Sequence, residues 1–412
     1  GSYRIIERPD YPAWRWFTAP VEVLWGEDSL IIITIIVFIL LVSGAFAVLE
    51  KCGILTSVLA KIVNRFRTRR YTLLLVVSLF FMLLGGFFGI LEEIIPLVPL
   101  MIALSYSLGW DALVGLGMSV LATNIGFSAA VTNPFTIGVA QKLAGLPLFS
   151  GALLRIPVFI VFYAALAWFL LSYARRIDRD PTTSLVYKED QADNAHYKHL
   201  DLDGAGINPR AGKAALVFGL FMLLIIAVLL AGPFLPAFAD YTLPIVGLLF
   251  FIGGLVSGFV SGATGGLIRR ALKEGMLGLA PGIPLILMAA STKHIVSSGK
   301  VIDTILHGTS SLMDGASPLS AVYIIFLLAL LVEFFVASAG AKAVLMMPIL
   351  LPLADLVGVT RQLTVSAYCF GDGFTNLAYP TNAVLLISIG LASVSYGKWM
   401  RFTAKLWLVI FP

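Results

Sequence analysis

Two short stretches set hydrogen-bonding side chains beside a proline inside otherwise apolar sequence: Val131-Thr132-Asn133-Pro134-Phe135 and Tyr379-Pro380-Thr381-Asn382-Ala383. In a helix that crosses a bilayer, proline removes a backbone donor, and Thr and Asn side chains can satisfy the groups it frees. Tolerated kinks would need nothing more. Breaks at matching places would do chemistry, because each turns the positive end of a half-helix toward an anionic group and offers unwound carbonyl oxygens to a cation. The pattern predicts substrate contacts at Thr132, Asn133, Thr381 and Asn382, joined by Glu92, Glu93, Ser338, Lys342 and Asp372 from the hairpin tips and the second broken span, with a sodium site near Asn133 and Asn382.

Carboxylates supply the second chemistry. Glu92 and Glu93 lie between Gly85-Gly86-Phe87-Phe88-Gly89-Ile90 and Ile94-Ile95-Pro96-Leu97, where an ionised side chain costs about 2.5–3.5 kcal/mol even on lenient insertion scales. They are expected to form a substrate or proton site; the alternative is a protonated glutamate, or an ion pair with Lys342 in Ser338-Ala339-Gly340-Ala341-Lys342. Asp372, between Gly371 and Gly373, either lines the same cavity or bonds nearby backbone. Glu333, Lys142 and Lys293-His294 are expected to be structural, packed against partners or snorkelling. If Glu92, Glu93 and Lys342 all ionise, the site is acidic and welcomes a cationic group, which points to a basic amino acid. A neutral Glu93 would instead admit a dicarboxylate together with a proton.

The elements that must carry these residues are membrane helices. The chain of 412 residues is 59% hydrophobic and only 12% charged, with a mean hydropathy of +0.96, far above a soluble domain. Runs such as Ser29–Leu49, Tyr71–Ile90, Ile156–Tyr173, Ala214–Leu230 and Tyr241–Val260 approach or exceed the roughly 20 residues a spanning helix needs. A net charge of +5 and a pI near 9.1 then read as loop charges that set topology, not as a nucleic-acid surface. Cys52 and Cys369 show neither a disulfide framework nor metal-ligand spacing. Gly254, Gly258, Gly262 and Gly266 are spaced for close helix packing.

A hidden repeat organises the spans. The offset that carries Thr132-Asn133 onto Thr381-Asn382 also carries Pro99 onto Pro348, Leu104 onto Leu353 and Gly109 onto Gly358, and sets Glu93 against Lys342; a nearly equal offset carries Gly53 onto Gly299. Repeats in a membrane chain signal a secondary transporter with its site at the repeat interface. At about 1.5 Å per residue, an arm over 94–108 falls short of a hydrocarbon core of roughly 30 Å, so it returns to the side it came from. Spans over 111–146 (the broken one), 152–174, 213–232, 241–262 and 278–297 separate this hairpin from a second one over 318–356, and their odd number inverts the second repeat.

The resulting division is an extramembrane segment over 1–28, a first repeat over 29–174 with a hairpin tip near 89–94, a cytoplasmic linker over 175–212, and a second repeat over 213–412 with its tip near 338–342 and a broken helix over 361–396. Loop charge orients it. Lys51, Lys61, Arg65, Arg67, Arg69 and Arg70, the linker with Arg175, Arg176, Arg179, Lys188, Lys198, Arg210 and Lys213, then Arg269, Arg270 and Lys273, and finally Lys398, Arg401 and Lys405 gather on one side. Only Arg4, Arg8, Arg15, Lys300 and Arg361 fall on the other. His196 and His199 in the linker are expected to be solvated. Residues 1–28 lack the apolar core of a signal sequence, and the chain is expected to be trimmed at its start and beside Phe411-Pro412.

The stretches Ser338–Gln362 and Phe370–Leu386, with Gly89–Leu100 and Val131–Gly151 in the first half, closely resemble YfcC-like proteins of the C4-dicarboxylate anaerobic carrier group, within the ion transporter superfamily. The resemblance covers nearly the whole chain. It implies an all-α inverted-repeat transporter with two re-entrant hairpins and two broken helices, multi-pass in the lipid of the cytoplasmic (inner) membrane, homodimeric and moving its small-molecule substrate by an elevator motion, with sodium or a proton as coupling ion and no other cofactor. Relatives are associated with dicarboxylates and, in the YfcC and ArcD-like branch, with basic amino acids. Better-understood dicarboxylate relatives carry Ser-Asn-Thr at each hairpin tip; here those positions read Glu92-Glu93 and Ser338-Ala339-Gly340, which weighs against sodium coupling and dicarboxylate recognition.

Two other classes compete. An intramembrane aspartyl protease needs Gly-x-Gly-Asp, and the chain reads Cys369-Phe370-Gly371-Asp372; Gly-x-Ser-x-Gly and His-Glu-x-x-His are both missing. The chain is therefore not expected to be an enzyme. An uncoupled channel is the remaining competitor, separable from a carrier by saturation and counter-exchange.

Overall fold

The computed structural model describes residues 12, 14–26, 29–66, 68–191, 208–231, 241–280, 282–299, 317–336 and 338–410, and among them all regular structure is helical. Among the described residues six helices are long and apolar enough to cross a membrane: Ser29–Lys51, Arg70–Phe88, Ala112–Leu143, Ala152–Arg179, Thr242–Val260 and Ala339–Leu356. Only helices satisfy every backbone group within one segment, as hydrocarbon requires.

Their local origins are plain. Ser29–Lys51 is apolar from Leu30 to Leu49 apart from Thr34 and the small Ser43 and Gly44, and it ends on Glu50-Lys51, where the Lys51 charge complements the negative end of the helix dipole. Ile54–Phe66 buries Ile54, Ser57, Leu59, Ala60 and Val63 along one face and exposes Lys61 and Arg65 on the other, so it is amphipathic and lies alongside the spans. Thr264, Ser317 and Thr360 each accept a hydrogen bond from the first turn of the helix that follows, starting Gly265–Leu279, Pro318–Glu333 and Arg361–Phe374.

Burial ranks the spans. The window of Ala112–Leu143 is 100% buried against 28% for Ala152–Arg179, so the broken helix is the centre of the molecule and the unbroken one faces outward. Around that centre the helices approach very closely. A Cβ on Gly85 would stand 2.0 Å from the carbonyl oxygen of Thr123, and one on Gly126 would stand 1.9 Å from that of Met82. Elsewhere Ser29–Lys51 packs against both Thr242–Val260 and Gly265–Leu279, with Ser43 Oγ donating to the Gly275 carbonyl at 3.0 Å. Of the four spaced glycines, Gly254 and Gly258 pack tightly against Ala45 and Val48, whereas Gly266 has open space beside it.

Several boundaries differ from the sequence reading. The region expected as a loop with Arg269, Arg270 and Lys273 is the helix Gly265–Leu279, which exposes all three; Gly282–Ser298 follows it. The helix expected to end at 174 runs on to Arg179. The arm over 94–108 is a 3-10 turn, Glu92–Leu97, followed by Val98–Ser107, because Pro96 and Pro99 deny the donors that a continuous helix needs. Residues 180–191, expected in a polar cytoplasmic linker, dock on helix ends: Asp111 accepts from Tyr173 Oη and Ser184 Oγ, each at 2.7 Å, and Lys398 reaches Glu189 at 2.5 Å. His196 and His199 lie outside the described residues.

Candidate functional site

The first interruption is built by a left-handed residue and an asparagine cap. Ala122–Ala129 ends at Ala130, whose φ of 43° is unusual for a residue with a Cβ. Asn133 then starts the next helical segment: its Oδ1 accepts from the backbone N–H of Phe135 at 2.9 Å and of Thr136 at 3.3 Å. Pro134 follows at the first helical position, where its missing donor costs nothing. Thr132 fastens the break to the turn before Glu92, donating its N–H to Gly86 at 3.1 Å and its hydroxyl to Phe87 at 2.9 Å. Gly89 closes that turn with φ 70°, and a Cβ there would stand 2.1 Å from Asn133 Oδ1, so the contact requires glycine.

The second interruption repeats the cap. Arg361–Phe374 gives way to a 3-10 turn, Thr375–Leu377, and the chain restarts at Ala383–Leu391. Asn382 Oδ1 accepts from Val384 N at 2.9 Å and Leu385 N at 3.4 Å, while its Nδ2 donates to Asn376 Oδ1 at 3.1 Å. Thr381 is exposed, unlike half-buried Thr132. Each break also touches the other half: Ala383–Leu391 packs against the Glu92–Leu97 turn, and Ala339–Leu356 against Pro134–Gly138 and Val139–Leu143. The two breaks meet where Arg361–Phe374 crosses Ala122–Ala129, so closely that a Cβ on Gly373 would stand 2.3 Å from the Ser128 Cα.

Around the first break lies buried polarity that the sequence reading missed. Arg155 is 2% exposed and donates to the carbonyls of Ser150 at 2.9 Å, Val131 at 3.0 Å and Phe149 at 3.3 Å. Asn133 Nδ2, both side-chain polar atoms of Asn124 and Thr136 Oγ1 are buried without a hydrogen-bond partner. Buried polar atoms are almost always paired, so this group keeps hydrogen-bonding capacity that the protein does not use. The legible signal was Arg155 itself, an arginine inside the run Ala152–Tyr173.

Lys342 meets two carboxylates that the sequence reading did not pair with it. Its side chain is fully buried and ion-paired with Glu333, and its Nζ lies 2.6 Å from Asp372 Oδ1, off the direction of an ideal hydrogen bond. Glu333 ends Pro318–Glu333, Lys342 lies in the first turn of Ala339–Leu356, and Asp372 lies near the end of Arg361–Phe374, so three elements place the triad. Ser338 is half-buried and caps the helix bearing Lys342, accepting from Ala341 N at 3.4 Å. The side chains of Glu92 and Glu93 lie outside the described residues.

Multiple apolar spans around a broken helix whose most apolar window is fully buried make this a polytopic helical membrane protein, and the relatives place it in the transporter class. The chain belongs to the C4-dicarboxylate anaerobic carrier family, whose profile matches residues 15–412. A relative from Escherichia coli (strain K12), named "Putative basic amino acid antiporter YfcC", is 30% identical over 385 residues, covering 92% of this chain and 75% of the relative. An uncharacterized protein of Haemophilus influenzae is 28% identical over 390 residues, 91% of this chain and 73% of its own length. Among solved structures, the YdaH transporter of Alcanivorax borkumensis superposes with a TM-score of 0.69 at 20% identity, over 96% of this chain and 85% of that one. MtrF of Neisseria gonorrhoeae, from a class of antimetabolite efflux pumps, gives 0.67 at 18%, over 97% and 83%. The fold is thus that of known transporters, and the family is one of transporters rather than enzymes.

Proposed function

We propose that the protein is a secondary active carrier of small charged metabolites in the cytoplasmic membrane, built from inverted repeats whose re-entrant hairpins move with the two breaks as an elevator within a homodimer. The observation that carries this reading is the pair of breaks capped alike by Asn133 and Asn382, each packed against an element of the other half. Charge divides the site. The first break combines a helix N-terminus, the buried Arg155 guanidinium and the free Asn133 Nδ2, all of which favour a carboxylate. Arg155 already occupies the Val131 carbonyl, which weighs against sodium at that break. Acidic Glu92 and Glu93 in the neighbouring hairpin turn suit a cation.

A basic amino acid carries both groups and fits both ends. The relative bearing a basic-amino-acid antiporter name supports this choice; the family description supports the alternative, a C4-dicarboxylate taken up with a proton or sodium. Counterflow in proteoliposomes tests them together. Arginine, ornithine or lysine should show saturable exchange. Exchange of succinate or malate with all three amino acids inert would overturn the substrate, and a linear non-saturating current would overturn the carrier.

A further inference from the structure

The triad leaves a charge unbalanced. Glu333 and Asp372 are each 1% exposed, Lys342 is fully buried, and two carboxylates share that single ammonium. Asp372 Oδ2 is buried and accepts from nothing, and Glu333 Oε2 has only the ammonium. Fully ionised, the cluster carries one net negative charge in a low-dielectric interior, an unfavourable state that normally neutralises. Lys342 already fills the space between the carboxylates, and no group of three or more acidic, His or Cys side chains suited to a metal ion occurs among the described residues.

No described side chain packed against the triad offers a second cation. On Arg361–Phe374, Tyr368 Oη donates to the Ala339 carbonyl at 3.1 Å and Cys369 is buried beside it. Arg155 is committed to backbone carbonyls at the first break. On Gly282–Ser298, His294 meets Glu22 at 3.4 Å, and Lys142 on Val139–Leu143 is half-exposed. Pro134–Gly138 bears no titratable side chain, and Pro318–Glu333 adds only Tyr323, which is exposed.

We propose that Glu333, Lys342 and Asp372 form the proton-coupling site of the carrier, holding one exchangeable proton on the Asp372 carboxyl when the triad is buried. With that proton the cluster is neutral and can cross the apolar interior. Without it the cluster carries net charge and is stable only when water reaches it from one side. The proton comes from water on one side as an O–H bond forms at Asp372 Oδ2, and returns to water on the other side as that bond breaks; no other reactant is needed. The Ala339–Leu356 helix bearing Lys342 also packs on the first break's helix, so occupancy of the breaks and exposure of the triad change together. This assignment rests on the carrier reading and moves Lys342 and Asp372 from substrate contact to coupling.

Infrared difference spectra of the reconstituted protein between acidic and alkaline buffer, with carbon-13 aspartate labelling, test it directly. Wild type should show one buried carboxylic-acid band that shifts with the label. Asp372→Asn should lose it, Asp372→Glu should restore an unlabelled band, and Lys342→Gln, with two carboxylates and no ammonium, should bind a second proton. A pH gradient should drive accumulation of labelled arginine or succinate in wild type and Asp372→Glu but not in Asp372→Asn. A band unchanged in Asp372→Asn, its absence from wild type, or gradient-driven accumulation by Asp372→Asn at the wild-type level would each overturn the assignment. If the band behaves as stated but no probe is carried, the carrier reading fails while the proton site stands.

Discussion

Asn133 and Asn382 are the residues on which structure and transport separate most cleanly. Each caps a helix through Oδ1, so replacement by alanine removes a cap that contributes about 0.5–2 kcal/mol. That loss should lower the melting temperature modestly in detergent and leave the protein folded. Asn133→Ala also deletes the unpartnered Nδ2, and uptake should vanish although folding survives. Asn382→Ala should abolish uptake as well, through the freed backbone of the second break and through Asn376. Wild-type uptake by both variants would refute a site at the breaks. Glu93→Gln discriminates substrates: it should destroy uptake of a basic amino acid, whereas a dicarboxylate carrier would keep succinate exchange with a weaker pH dependence.

Elements decide what a sequence can disclose. The breaks were legible because proline within two residues of asparagine has one mechanical meaning in a helix, and both stretches carry it. The triad was not. A matching offset drew attention to Glu93 and Lys342 as equivalents under the repeat, whereas Glu333 and Asp372, which meet Lys342, come from helices on either side of its own. Linear spacing holds no record of such a meeting. The same limit applies to glycines, since Gly126 and Gly266 look alike in sequence and differ wholly in surroundings. Gly126→Ala would force backbone apart, because its Cβ would stand 1.9 Å from the Met82 carbonyl oxygen, and overpacking of this kind costs about 1–3 kcal/mol or more. Gly266→Ala meets nothing within 4 Å and should be neutral or slightly stabilising. Melting curves of the two purified variants compare them directly.

At the scale of the whole molecule, the cationic helix ends that the charge pattern assigns to one side each find an acidic partner. Arg70 pairs with Asp178 at 2.9 Å, Lys51 with Glu274 at 3.3 Å, and Lys398 with Glu189 at 2.5 Å. Tyr71 and Trp110 also donate to Asp178, so the start of the linker is pinned to the helices it leaves. The Lys398 ammonium beside Glu189 holds that carboxyl below its ordinary range. A depressed carboxyl stabilises the fold above its unfolded pKa, and the contribution is lost as pH falls through the folded value. The pair is about a third exposed, so Glu189→Gln should cost less than about 1 kcal/mol at neutral pH and nothing in strong acid; melting against pH checks this.

Orientation follows from the same charges. Cationic loops are retained on the cytoplasmic side during insertion, and Lys61 and Arg65, exposed on their amphipathic helix, lie in the chain between Lys51 and Arg70. Residues Lys61–Arg70 should therefore be cytoplasmic. A cysteine in place of exposed Asn64, in a chain whose own Cys52 and Cys369 are buried, should resist an impermeant thiol reagent in intact cells and react once the membrane is opened. Labelling before lysis would invert the whole arrangement, and with it the side from which each break is reached.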